Sequence, residues 1–92
     1  KKYLSEHFAY IKKIIQENII YPPRALRMGW QGKVVVGFII LENGNANNIK
    51  IVESSGFDIL DTNVIKTVEA VAPFPKPPVK AELRVPIIYR LE

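Results

Sequence analysis

Few side chains in this sequence can do chemistry, and their spacing argues against catalysis. His7 is the single histidine, and there is no cysteine. A lone imidazole without a thiolate or a carboxylate cluster is a poor metal site. Glu6 is adjacent to it in sequence but does not share its helix face. Ser54-Ser55-Gly56, ahead of a helical segment, has the form of an anion cradle. Asp58 and Asp61 would repel an anion there, so the triplet serves better as a strand-to-helix turn. Neither serine has a base to activate it as a nucleophile. With no acid–base pair and no nucleophile constellation, the chain points to a binding module that is not an enzyme and needs no cofactor or metal. What remains is backbone hydrogen bonding, and the segment placed to offer it is the last apolar run, Leu83 to Leu91, with Pro86 at its centre.

The bulk properties suit one small domain covering 1–92. There are 92 residues, 48% of them hydrophobic, with a formal net charge of +4. A chain of this size buries roughly two-thirds of its unfolded surface, so its stability is modest. The basic balance invites a nucleic-acid partner, but the charges are spread along the chain. The densest group is Lys76, Lys80, Arg84 and Arg90, and no run of like charges forms a basic tail. No stretch is long and apolar enough to span a bilayer. The chain opens on Lys1-Lys2-Tyr3-Leu4 with no initiator Met, and is expected to be an excised domain whose targeting information lies upstream.

The elements that must position the last segment follow from periodicity. Leu4, Phe8, Ile11, Ile15 and Ile19, with Ile14, predict an amphipathic helix over about 3–20, with Lys12, Lys13, Gln16 and Glu17 on its polar side. Pro22-Pro23 ends it and opens a short helix over about 23–28, stopped by Gly29. Val34, Val36, Phe38 and Ile40 alternate with Lys33, Val35, Gly37 and Ile39 in a strand of about 32–41. Asn43-Gly44 signals a type I′ hairpin turn, with positive φ at both residues, and a return strand of about 46–53 with Ile49 and Ile51 inward. Asp58 is the expected cap of a helix over about 58–71, with Asp61 favouring its positive end and Leu60, Val64, Val68, Val71 and Ile65 as its apolar stripe. Phe74-Pro75-Lys76-Pro77-Pro78 reads as a stiff connector that carries Phe74 into the core. Trp30, between Gly29 and Gly32, is expected to cover one end of that core. The last strand covers about 82–91. Leu83, Val85, Ile87, Tyr89 and Leu91 share its inner side, and Arg84, Pro86, Ile88 and Arg90 its outer side.

The order α-β-β-α-β predicts an α+β fold. A three-stranded antiparallel sheet, order 2-1-3, is covered on one face by the two main helices. That makes the last strand an edge, and Pro86 agrees, because proline lacks an N–H and is confined to edges and bulges. If the strand is regular, Pro86 nitrogen points away from strand one. The backbone groups of Arg84, Ile88 and Arg90 then point outward too, where an extended guest could pair with them. The same edge could pair with a second copy as a homodimer.

Together these segments carry a resemblance. Tyr21-Pro22-x-x-Ala25, Gly32-x-Val34-x-Val36-x-Phe38, Asn43-Gly44, Ile49-x-Ile51, Ser54-Ser55-Gly56-x-x-x-Leu60-Asp61, Phe74-x-x-Pro77 and Val85-Pro86-Ile87-Ile88-Tyr89-Arg90-Leu91 resemble the C-terminal domain of the TonB family. The resemblance implies a periplasmic domain of an energy transducer. Its full-length form would be anchored in the inner membrane by a helix absent from this chain and coupled to the proton gradient by ExbB and ExbD. The domain would grip the TonB box of outer-membrane receptors, driving uptake of iron-siderophore, haem, cobalamin or metal cargo. The implied contact is the last strand, Arg84, Val85, Pro86, Ile87, Ile88, Tyr89 and Arg90, with Tyr21 and Asn18 beside it. Two alternatives remain. One is a TolA-like cell-envelope module. The other is a nucleic-acid-binding basic domain, against which the outer sheet face offers no aromatic ring for stacking.

Overall fold

The computed structural model describes residues 2–91; Lys1 and Glu92, the two ends of the expected domain, lie outside the described residues. Its elements are α1 (Lys2–Asn18), α2 (Pro23–Met28), β1 (Gly32–Ile40), β2 (Ala46–Glu53), α3 (Asp58–Val71) and β3 (Ala81–Tyr89). The sheet has three strands in the order β2-β1-β3, and both pairings are antiparallel, as the alternation and chain order required.

Strict alternation decides which sheet face is the core. Val34, Val36, Phe38 and Ile40 of β1 are buried, as are Leu83, Val85, Ile87 and Tyr89 of β3. They meet Ile11 and Ile15 of α1 and Leu60, Val64 and Val68 of α3 in one cluster. Each fully buried Val, Leu or Ile stabilises by about 1.5–3 kcal/mol, so Ile11 and Ile15 fasten α1 firmly to the sheet. Phe74 joins the cluster and stacks on Phe38 with ring centroids 5.5 Å apart, which is the connector role expected for it. Trp30 stacks on Phe57 at 4.8 Å and packs against the cluster at its margin.

Several local details differ from the expectations. Helix α1 stops at Asn18, not near residue 20, and Ile19 to Tyr21 lead non-helically into Pro22. Helix α2 behaves as its prolines and glycine dictate. Pro23 sits in its first turn, and Gly29 closes it at φ 72° with its N–H donated back to Leu26 O.

The hairpin forms at the expected place with a different turn. Gly44 has φ 91°, but Asn43 is not among the positive-φ residues, so the turn is not type I′. Gly44 N–H donates to Leu41 O, and Leu41 N–H to Asn45 O, around the loop Glu42-Asn43-Gly44. This is the longer hairpin with a single left-handed glycine. The reason lies outside the hairpin: Phe74 N–H donates to Gly44 O at 2.7 Å, so the connector pins the loop.

Asp58 does not cap α3. Phe57 occupies the cap position with no side-chain hydrogen bond, and Asp58 is the first helical residue. Asp61 instead turns back to the strand-to-helix turn. It accepts from Ser54 Oγ, from Ser55 N–H at 3.0 Å and from Ser55 Oγ at 2.8 Å. The serine triplet is thus a turn held by a carboxylate, which explains Asp61's burial.

Candidate functional site

The chemistry available at a sheet edge depends on how regular the edge is. Strand β3 pairs with β1 without interruption, from Gly32 opposite Tyr89 to Ile40 opposite Ala81. Strand β2, the other edge, slips register twice against β1, and its Asn48 sits at φ 57°. Bulges and a left-handed residue twist an edge out of reach of a template-seeking strand. The straight edge is β3.

Pro86 lies opposite Val35 in that register. An antiparallel ladder alternates residues whose backbone groups face the neighbour with residues whose groups face away. Proline can occupy only the second kind without loss. A second contact fixes the same parity independently. Gln16 Nε2 donates to Ile88 O at 2.8 Å, and Ile88 N–H donates to Gln16 Oε1 at 2.9 Å. Both groups of Ile88 therefore face away from β1. Glu82, Arg84 and Pro86 share that orientation, whereas Leu83, Val85, Ile87 and Tyr89 turn their backbone groups to β1 and their side chains to the core.

The expected site residues thus divide. The side chains of Arg84, Ile88 and Arg90 are exposed, and Pro86 is half-buried. Val85, Ile87 and Tyr89 are core residues. Strand β3 ends at Tyr89, so Arg90 and Leu91 lie past the ladder, with Leu91 N–H held by Gln31 Oε1 at 2.7 Å. Leu91 is half-buried and not part of the strand's inner row. Asn18 is exposed and donates its side-chain amide to Ile14 O at 2.7 Å. Tyr21 is half-buried; its hydroxyl donates to Trp30 O, and its ring meets Tyr89 edge-on at 5.5 Å. Tyr21 is brought to the downstream end of β3 by its contact with Tyr89, whereas Asn18, two residues past Gln16 on the helix, bonds only back to Ile14 of α1 among the described residues.

Tyr89 anchors that end from inside. Burial first, then the charge of Asp61 and the neighbouring Tyr21, push its phenol far above the ordinary value. It stays neutral and donates to Asn63 Oδ1. At the upstream end a shallow groove of about 400 Å³ runs along the edge, lined by Leu4, Phe8, Glu82, Leu83 and Arg84. Among the described residues no side chain occupies the outward backbone groups of Glu82 and Arg84 as Gln16 does those of Ile88.

Two residues of this edge were missed from the sequence. Glu82 lies inside the expected strand of about 82–91 and follows from the same alternation as Arg84, but it was not among the expected contacts. Gln16 carried no sequence signal, because it sits 72 positions from Ile88 on what periodicity marks as the polar side of α1.

Comparison with known proteins agrees with the fold. The family described as Gram-negative bacterial TonB protein C-terminal matches residues 17–91. The chain is 32% identical over 95% of its length to TonB of Campylobacter coli, and 34% identical over 96% to TonB of Helicobacter pylori. It spans only 38% and 32% of those two proteins. Among solved structures, the solution structure of the Helicobacter pylori TonB C-terminal domain matches with a TM-score of 0.86 and 34% identity, covering 95% of this chain and 82% of that one. The Pseudomonas aeruginosa TonB C-terminal domain, at 22% identity over 84% of this chain and 82% of that one, shares the fold with a TM-score of 0.70. The chain belongs to the TonB C-terminal domain family, which is not a family of enzymes.

Proposed function

We propose that this domain takes up the TonB box of an outer-membrane TonB-dependent receptor as an added strand on β3. The observation that carries the reading is the unbroken register of β3 against β1, with Pro86 facing out and the outward backbone groups of Glu82 and Arg84 unoccupied among the described residues. A guest bonded to Glu82, Arg84 and the Pro86 carbonyl makes about five hydrogen bonds, each worth roughly 0.5–1.5 kcal/mol net. Ordering the guest offsets much of that gain. An affinity near the micromolar level, about −8 kcal/mol, suits a grip that must also release. Arg84 and Arg90 add positive charge beside the guest, Tyr21 flanks the downstream end through its contact with Tyr89, and Asn18 is a second proposed contact.

In this reading the domain works in the periplasm. A segment outside this chain anchors the protein in the inner membrane, and ExbB and ExbD couple it to the proton gradient. The force delivered through β3 drives uptake of iron-siderophore, haem, cobalamin or metal cargo. Family membership and the straight edge support this role.

The test is a titration of isotope-labelled domain with a TonB-box peptide, followed by amide chemical shifts at several protein concentrations. Shifts are expected from Glu82 to Arg90 and their β1 neighbours, with Lys66 and Glu69 on α3 quiet. Shifts confined to α3 would overturn strand addition. A concentration dependence without peptide would reveal pairing of β3 with a second copy.

A further inference from the structure

The edge of β3 is already partly paired, and the partner is a side chain. The Gln16 carboxamide gives one donor and one acceptor to Ile88, at 2.8 and 2.9 Å. This reciprocal exchange is what one residue of a neighbouring antiparallel strand would make with Ile88. A helix backbone cannot supply it, since its own groups are spent along the helix. A carboxamide carries the donor and the acceptor on one carbon of a planar group, in the spacing that a residue's own N–H and C=O require. Glutamate lacks the donor, and asparagine is shorter by a methylene.

We infer that Gln16 is a latch on the edge, holding Ile88 closed until an incoming strand displaces it. The inference rests on the strand-addition reading above. Ile88 is the one outward-facing residue of β3 beyond Pro86 within the strand, so the latch covers the whole downstream half of the edge. A guest confined to Glu82, Arg84 and the Pro86 carbonyl leaves it shut. A guest running the length of β3 must open it.

Opening does not require α1 to leave. Ile11 and Ile15 of α1 are fully buried, so the helix stays docked while the Gln16 side chain rotates outward. The bonds it gives up are solvent-exposed and are replaced by water. The latch is therefore weak: it discriminates between short and long pairing without blocking either. It also deprives a second copy of the Ile88 pair, which lowers the tendency of this straight edge to self-associate.

The experiment compares wild type with Gln16→Ala and Gln16→Glu, using amide hydrogen exchange on the free domain and titration with a TonB-box peptide long enough to span Glu82 to Ile88. Gln16→Ala is expected to speed exchange at Ile88 by about ten-fold while Val85 and Ile87 keep their protection, and to tighten peptide binding by about three- to ten-fold, the reach of one or two exposed hydrogen bonds. Gln16→Glu keeps the side-chain length and the acceptor for Ile88 N–H but loses the donor, and is expected to fall between the two. Unchanged Ile88 exchange in Gln16→Ala overturns the latch. So does equal or weaker peptide binding in that variant, which would make Gln16 a bystander or a guest contact. Peptide binding to wild type with no difference between variants removes the latch and leaves strand addition standing. Absence of peptide shifts in every variant overturns both.

Discussion

Pro86 stands opposite Val35, in the middle of a register that runs without a break from Gly32–Tyr89 to Ile40–Ala81. That placement turns the absent N–H of proline toward solvent. It makes two prolines introduced next to each other behave in opposite ways. Val85→Pro removes a donor that faces β1 and is expected to lower stability by more than about 2 kcal/mol. Arg84→Pro removes a donor that faces outward. It is expected to leave the thermal midpoint nearly unchanged while weakening a TonB-box peptide about three- to ten-fold. Calorimetry and peptide titration on both variants check the pair. Unfolding of Arg84→Pro would mean that its N–H serves the ladder.

Gly44 joins the hairpin to the connector. It has φ 91°, and a Cβ there would lie 2.5 Å from Phe74 O and 3.2 Å from Pro73 Cβ. Gly44→Ala is expected to cost about 2–3 kcal/mol, from left-handed strain and from parting Phe74 N–H from Gly44 O. Denaturant unfolding measures the loss. Amide shifts at Phe74 and at its stacking partner Phe38 should report the displacement.

Asp61 makes the strand-to-helix turn sensitive to acid. Burial alone would raise its carboxyl, but hydrogen bonds from Ser54 Oγ, Ser55 N–H and Ser55 Oγ outweigh burial and lower it below 3.8. A carboxyl lowered in the fold adds stability that is fully present above its unfolded value and is lost as pH falls through its folded one. Asp61→Asn is expected to destabilise by about 1–2 kcal/mol at neutral pH. The gap from wild type should narrow below about pH 4. Urea unfolding between pH 2 and 7, values set about the ordinary carboxyl range, follows it. A gap that persists at the lowest pH would separate the turn from Asp61's charge.

Tyr21 has its hydroxyl turned inward, donating to Trp30 O, and its ring against Tyr89. Tyr21→Phe is expected to lower stability by about 1 kcal/mol through the lost hydrogen bond. Peptide affinity should stay within about two-fold, since the ring face remains. A large loss of affinity with unchanged stability would assign the hydroxyl to the guest.

Much of this architecture was legible because it rests on local rules. The inner row Leu83, Val85, Ile87 and Tyr89 follows from a period of two, and the stripe Leu60, Val64 and Val68 from a helical period. Pro22-Pro23 and Gly29 bracket α2 because proline and glycine restrict or free a single backbone. Where another segment intrudes, local rules fail. The turn at Gly44 answers to Phe74, and Asp61 answers to Ser54 and Ser55 instead of to the helix end.

The sequence by itself determined that the last strand is an edge and that Pro86 faces out. The missing proline N–H is a property of the chain that no packing detail can change, and in a regular strand it admits only one direction. Only the tertiary structure decided how much of that edge is free. Gln16 reaches Ile88 because burial of Ile11 and Ile15 sets the docking of α1, which carries a polar side chain to within hydrogen-bond distance of a backbone 72 residues away. Periodicity assigns a residue to a helix face. It does not say which neighbour that face meets, and at this edge that neighbour separates open backbone groups from latched ones.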